Sequence, residues 1–373
     1  MKELLGFCPK APDWSLDWEA ISAAYDWVRA LEGCPQDPRW HAEGNVWVHT
    51  EMVLRELVRS TEWRKLDGAQ RQLIFAACLL HDVEKPSTTV QQSDGRITAK
   101  HHSEKGALRA RRILWELGAA PEFRERVAHL VLHHQVPFFL VGRADAERRI
   151  SRISWTAGCA ALVQVARADM RGRVCEDQAG RLEDIELFAE LAREHACLDR
   201  PREFASDAHR VAYFASPGRA VNAPVPPRAK CRVIVMSGLP GSGKDHWIER
   251  KGPGDPVVSL DRIREELGVD PADGQGRVVQ LAQERARSHL RAGTNFIWNA
   301  TNLSRRLRSK VLDLCHRYGA HTHIVHVETD PKTWRLRNRQ RSAPVPESVL
   351  TRMLTQWQVP DATEAHRVDH VQS

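Results

Sequence analysis

Val233-Ile-Val-Met-Ser-Gly-Leu-Pro-Gly-Ser-Gly-Lys-Asp245 is the stretch on which the fold of the C-terminal half turns. A short apolar run bounded by glycine and proline predicts a buried strand at Val233–Met236. The following Gly238-Leu239-Pro240-Gly241-Ser242-Gly243-Lys244 fits the spacing G-x-x-x-x-G-K. Glycines let successive backbone N–H groups curve round an anion, and the helix that follows adds its positive N-terminal end. Lys244 would reach the β- and γ-phosphates of a nucleoside triphosphate. All seven residues, together with Asp245, are expected to line the phosphate site. Asp245 stands where a magnesium-binding Ser or Thr is usual, and a carboxylate can serve a divalent cation directly or through water.

Further strands are predicted at Val257–Ser259, Asn295–Asn299 and His323–Val327, with helices between them. Such alternation gives an α/β domain with a mostly parallel sheet. Ser259-Leu-Asp261-Arg-Ile-Arg264 puts an acid at the C-terminal end of a strand, where open α/β sheets bind ligands. Two readings stay open there. Asp261 accepts a proton from an attacking hydroxyl while Arg264 holds an acceptor phosphate; or Asp261 only caps the helix from Arg262 and Arg264 is solvated. Arg335, Arg337, Arg339 and Arg341 crowd one short helix before Pro344-Val-Pro346. Arg337 and Arg341 share a face at i, i+4 and are the two expected in an arginine-rich lid over nucleotide phosphates, against the plainer reading of a solvated basic face.

Upstream the text changes. Proline-rich Ser216–Lys230 has no periodicity and reads as a linker between residues 1–215 and 231–373. Residues 1–215 read as almost all helix, with apolar stripes over Thr50–Arg59, Arg71–Leu80, Glu104–Leu117, Glu122–His134 and Ala160–Asp169. Histidines mark the helix ends: His49 begins one, His81-Asp82 closes another, His102 precedes a third and His133-His134 closes a fourth. His134 and Asp169 fall on inward stripes, and polar groups aimed inward need partners that a metal can supply. Imidazoles and carboxylates together suit Mn, Fe, Co, Ni or Zn rather than calcium. A lone inward histidine is ordinarily a satisfied core residue; five with two aspartates predict a metal site. His41 is equally a pocket or a surface residue.

With 42% hydrophobic and 28% charged residues in 373, the chain is long enough for two cores, and its net charge of +7 suits an anionic partner. The eight cysteines are scattered singly, so neither a zinc knuckle nor a disulfide framework is indicated. No apolar stretch reaches the roughly 18 residues that span a bilayer, and the start lacks a signal-like segment, so no membrane partner and a cytoplasmic setting are expected.

The motif H…HD…D, here His49, His81-Asp82 and Asp169, resembles the HD phosphohydrolase superfamily over about Pro38–Arg173, and especially the HD domains of tRNA CCA-adding enzymes. That resemblance implies one metal on His49, His81, Asp82 and Asp169. It implies a second on His102 and His133 or His134, with Asp82 bridging and Lys85 assisting phosphate. The residue before that lysine is Glu84 where the family has Gly. GLPGSGKD, Asp261-x-x-Arg264, Asn299 and Asn302 of the WNATN segment, and RNRQR resemble the 5′-OH polynucleotide kinase family over Cys231–Asp369. The likeness makes Asp261 the general base, gives Arg264 and Asn302 to the acceptor, and implies ATP with Mg2+.

An all-α HD domain followed by an α/β P-loop kinase domain resembles the bacterial HD–polynucleotide kinase fusions. It implies healing of RNA or DNA ends, with one or two divalent transition metals (Mn, Co, Ni or Zn) in the HD site and a ligase acting afterwards. A bifunctional enzyme of small nucleotides or metabolites, and a nucleotide-sensing module, are the alternative readings.

Overall fold

A computed structural model of the chain describes residues 1–225, 229–269, 275–341 and 344–373; within the expected linker, 226–228 lie outside the described residues. The chain divides into Met1–Glu203 and Phe204–Ser373. The division falls ahead of residue 215 because helix Asp207–Ala215 is held by the second unit. Arg210, almost fully buried, donates to the backbone carbonyls of Ala362, Ala365 and His366.

The first unit is helical, as expected. Its site is carried by helices Val46–Arg59, Gly68–Leu80, His102–Glu116, Pro121–His133 and Cys159–Arg171. Asn45 and Asp67 cap two of them, each accepting a backbone N–H from the residue three further on. Helix Gly68–Leu80 is buried without a break from Leu73 to Leu80, so it runs through the centre of the unit rather than along its surface. His49 stands one turn inside its helix rather than at its start, because Asn45 begins the helix earlier. A short antiparallel hairpin, Thr89–Gln91 with Ile97–Ala99, interrupts the helices where none was expected.

The second unit is an α/β layer structure. Five parallel strands, β1 (Arg232–Ser237), β2 (Val257–Ser259), β3 (Phe296–Asn299), β4 (His321–Glu328) and β5 (Arg367–Gln372), lie in the order β2-β3-β1-β4-β5. Val233, Val235, Phe296, Trp298 and Ile324 meet helices Gln275–Ala292 and Arg305–Arg317 on one face. Ile234, Met236, Ile297, Val325 and Val327 meet Trp247 and Ile248 on the other. With both faces covered, β1 reads as an unbroken apolar run. Chain connections leave β1 to one side for β2 and β3 and cross to the other for β4 and β5. A crevice therefore opens at the carboxyl end of β1, where the glycine-rich loop begins.

Close approach in the helical unit rests on Gly172, where a Cβ would lie 2.7 Å from Val53 Cγ2 and 2.7 Å from its backbone nitrogen. Backbone cannot give way cheaply. Gly172→Ala is expected to destabilise this unit by ~1–3 kcal/mol, read from the midpoint of its denaturant unfolding by circular dichroism.

Candidate metal centre and phosphate cradle

Six side chains of the helical unit converge. His49 Nε2 lies 3.3 Å from His81 Nε2 and 3.2 Å from Asp169 Oδ1. On the other side, His102 Nε2 lies 3.4 Å from His134 Nε2 and 3.4 Å from Asp82 Oδ1. Asp82 stands between the two groups, its Oδ2 3.1 Å from His81 Nε2. These are two triads of metal-ligand type, His49–His81–Asp169 and Asp82–His102–His134, all buried.

The orientation of each ring is fixed by its other nitrogen. Nδ1 of His81, His102 and His134 donates to the carbonyls of Cys78, Ala99 and Val131, each at 2.7 Å. His49 Nδ1 faces the carbonyl of Gly172 at 3.3 Å and Glu43 Oε1 at 2.9 Å. A carbonyl or carboxylate can only accept, so Nδ1 carries the hydrogen and Nε2 presents its lone pair. Four lone pairs thus point into one dry space. Asp82 adds two oxygens that are buried and accept no hydrogen bond. Lys85 pairs with Asp82 Oδ2 at 2.8 Å, but its ammonium donates to Gln36 Oε1 at 2.7 Å. Orphaned acceptors facing one another are destabilising unless a cation lies among them, and nitrogen with carboxylate donors suits a divalent transition metal. The residues present fit such an ion.

Burial would lower the His81 pKa, but Asp82 and Asp169 outweigh it and raise it, so a proton and a metal ion compete for that ring's Nε2. Burial would raise the Asp82 pKa, but His81 and Lys85 outweigh it and hold the carboxyl well below the usual range. Burial acts the same way on Asp169 and is outweighed chiefly by Arg173, which makes two hydrogen bonds to it, at 2.9 and 2.7 Å. Burial pushes His134 down to about 3, which keeps its ring neutral and able to ligate.

His133 is not brought to this centre. Its ring stacks with His129, 6.2 Å between centroids, because one residue's step turns it about 100° round the helix from His134. His41 is buried and meets the cluster at His49: the two rings pack edge to face, 4.8 Å between centroids, and Glu43 accepts from His41 Nδ1 at 2.8 Å while also facing His49. Glu84 has φ −105°, which any L-residue adopts, so the missing glycine costs nothing there. Sequence reasoning passed over Glu43, Arg173 and Gln36. Arg173, four residues after Asp169 near the end of a helix, carried an i, i+4 signal; Glu43 and Gln36 sit in loop text and carried none.

In the second unit, Gly238, Gly241 and Gly243 all have positive φ. At Gly238 a Cβ would lie 2.2 Å from the Val327 carbonyl oxygen, so only glycine fits. Lys244 is buried and folds back over the loop, donating to the carbonyls of Gly238 and Leu239 at 3.0 Å each. Burial lowers its pKa to about 8, offset in part by Asp245 and Asp261. Asp245, exposed at the start of helix Lys244–Lys251, accepts from Asn299 Nδ2 at 2.7 Å across the end of β3.

Asp261 does not cap its helix. Ser259 does, accepting from Arg262 N, and this leaves the Asp261 carboxyl 84% exposed and ion-paired with Arg264. Arg264 also donates to Gln275 Oε1 at 3.0 Å. Asn302 has backbone φ 43° and its buried amide donates to the Met236 carbonyl at 2.7 Å, so it ties the loop after β3 to the end of β1. Helix Pro331–Arg339 ends before Arg341. Both arginines still come to the loop: Arg337 Nη1 lies 3.6 Å from where a Gly243 Cβ would stand, and Arg341 lies within electrostatic reach of Lys244. Trp334 fastens that helix by donating from Nε1 to the Pro240 carbonyl at 2.8 Å.

Residues 47–151 match the HD domain family and residues 233–360 the AAA domain family. The chain therefore carries an HD domain followed by a P-loop domain of the AAA type. It is 29% identical over 204 residues to the Multifunctional CCA protein of Xanthomonas oryzae pv. oryzae, across 51% of this chain and 45% of that protein. The chain thus spans under half the length of that curated relative. Among solved structures, it is similar to a kinase from Chloroflexus aurantiacus (15% identity, 39% of this chain, 86% of that one, TM-score 0.34). It is also similar to an unliganded sugar kinase from Janibacter (20% identity, 38% and 84%, TM-score 0.29). No described helix is long and apolar enough to cross a membrane.

The two adjacent histidines separate by metal content. His134→Ala should lower metal affinity about 10-fold or more, whereas His133→Ala should bind as the parent does, both measured by calorimetric titration with Mn2+ or Ni2+.

Proposed function

From a chain in which an HD domain precedes a P-loop kinase-like domain, we propose a bifunctional end-healing enzyme for RNA. It phosphorylates 5′-hydroxyl ends with ATP and removes phosphate from 2′/3′-phosphate or cyclic phosphate ends. The observation that carries this reading is the pairing of chemistries in one chain: a phosphate cradle with an acid at a neighbouring strand end, and a dry six-ligand centre. One half adds a phosphate and the other takes one away, which is what the two sides of a broken strand need before joining. The net charge of +7 favours a polyanionic substrate. The likeness to a protein named for CCA leans the acceptor toward nucleic acid.

In the kinase half, the backbone from Gly238 to Gly243 would hold the β-phosphate while Lys244 exchanges its two loop carbonyls for phosphate oxygens. The 5′-oxygen of the strand attacks the γ-phosphorus, the bond to the β–γ bridging oxygen breaks, ADP leaves, and the hydroxyl proton passes to Asp261. An exposed carboxyl free of capping duty is suited to that proton. Arg264 steadies Asp261 and faces the acceptor's first phosphodiester; Arg337 and Arg341 neutralise charge on the transferring group. Asn299 fixes the Asp245 carboxylate where the triphosphate's Mg2+ would be held.

In the HD half, His49, His81, Asp82 and Asp169 would hold one divalent ion and His102 and His134 a second, with Asp82 between them. Such ions supply an activated water and charge neutralisation on phosphoryl oxygens. Glu43 and the Cys78, Ala99 and Val131 carbonyls keep the imidazoles aimed. Arg173 keeps Asp169 ionised, and Lys85 anchors Asp82 while offering its ammonium to the leaving phosphate.

A short RNA with a 5′-hydroxyl and a 2′- or 3′-phosphate, incubated with labelled ATP and Mn2+ and resolved on a gel, tests both halves. The expected product gains a labelled 5′-phosphate and loses its terminal phosphate. Transfer to mononucleosides but not to RNA would replace this reading with a small-molecule enzyme. Lys244→Ala should lower kinase turnover by about 10²-fold or more and leave phosphate removal intact; Asp82→Ala should do the reverse. Arg264→Ala should raise the KM for RNA more than the KM for ATP, each taken from initial rates.

A further inference from the structure

A cavity of about 360 Å³ opens in the helical unit against His102, within the size range of small-ligand sites. His102 is part of its lining, with Ser103 Oγ 3.4 Å from His102 Nε2, so the cavity adjoins one residue of the candidate metal centre. The floor is apolar, from Leu132, Val136 and Leu140. The rim is of another kind. Lys100, Arg143 and Arg149 stand there with Glu104 as the acid of the lining. Arg143 and Arg149 fork onto a single carboxylate, Asp145, at 3.0 and 2.6 Å, so two guanidinium charges share one negative charge and both side chains are about half exposed. Beside them Phe139 is 59% exposed, with the Arg181 guanidinium 4.7 Å from its ring centroid.

None of these features is explained by the core. Phe139 leaves apolar ring area in water, and the two arginines form only solvent-exposed ion pairs of little worth to stability. They coincide at a cavity that adjoins His102 of the candidate metal centre. A flat ring next to cations matches a base next to a phosphodiester; inorganic phosphate or a phosphosugar would have no use for the ring.

We infer that this cavity is the strand-binding subsite of the HD half. It seats the nucleotide that bears the terminal phosphate, with its base on Phe139 and the preceding phosphodiester on Arg143 and Arg149. The inference rests on the end-healing reading and adds to it how that half distinguishes a polynucleotide end from a free phosphate ester. No base edge is read, so the subsite takes any terminal base.

The test uses the full chain loaded with Mn2+ and two substrates, a short RNA with a 3′-phosphate and p-nitrophenyl phosphate. The readout is the ratio of their kcat/KM values. Phe139→Ala and the double variant Arg143→Glu/Arg149→Glu should each lower that ratio by about 10-fold or more, through the KM for RNA. The double variant should also flatten the fall of kcat/KM for RNA with salt, since fewer counterions are released. Phe139→Trp should restore the ratio, because stacking survives. A ratio left unchanged, or a parallel loss on both substrates that Phe139→Trp does not repair, would overturn the inference. Failure of the end-healing reading is distinct: the parent protein would hydrolyse p-nitrophenyl phosphate and no RNA end at all.

Discussion

Asp82 holds a negative charge where water does not reach, and the helical unit is organised round that cost. Its two oxygens accept no hydrogen bond. Lys85 Nζ, 2.8 Å from Oδ2, offsets part of that charge, and the imidazoles around it, their outer nitrogens bound to backbone carbonyls or facing Glu43, leave room for a cation to offset the rest. The chain builds most of that array at helix ends. On a continuous helix, neighbouring residues point about 100° apart, so His81 and Asp82 could not share a centre. They do so because helix Gly68–Leu80 gives way at that point. His102 opens its helix and His134 follows the last residue of another. Only His49 and Asp169 act from helix interiors, on the inward stripes of their helices.

The P-loop unit solves a related problem by other means. Its proposed phosphate cradle consists of backbone amides and a single buried lysine, so its precision lies in φ angles rather than in side-chain rotamers. Gly238 shows the tolerance: a single methyl group there would collide with β4. The second-line contacts, Asn299 on Asp245 and Asn302 on Met236, come from the last residue of β3 and from the loop that follows it, which makes that strand end the scaffold of the cradle.

Much of this was legible in the sequence. The strand before the glycine-rich loop, the helical stripes and the histidine–aspartate set all announced themselves, because burial imposes period and phosphate imposes glycine. Helical phase alone preferred His134 to His133, and the structure puts His134 in the cluster. What escaped has physical reasons. Strand Arg367–Gln372 is a partly exposed edge whose residues alternate without an apolar run, and only pairing with β4 defines it. The hairpin at Thr89–Gln91 is three residues a side. Nothing local reveals the left-handed backbone at Asn302. Glu43 acts at a distance in space that sequence spacing does not encode.

The Trp334 indole, hooked onto the carbonyl of Pro240, carries a mechanical implication. That bond ties helix Pro331–Arg339 to the glycine-rich loop. If the loop holds a triphosphate as proposed, Arg337 and Arg341 would reach it from a segment already fastened to the loop, and the entropy lost on closing would be that of a few rotatable bonds.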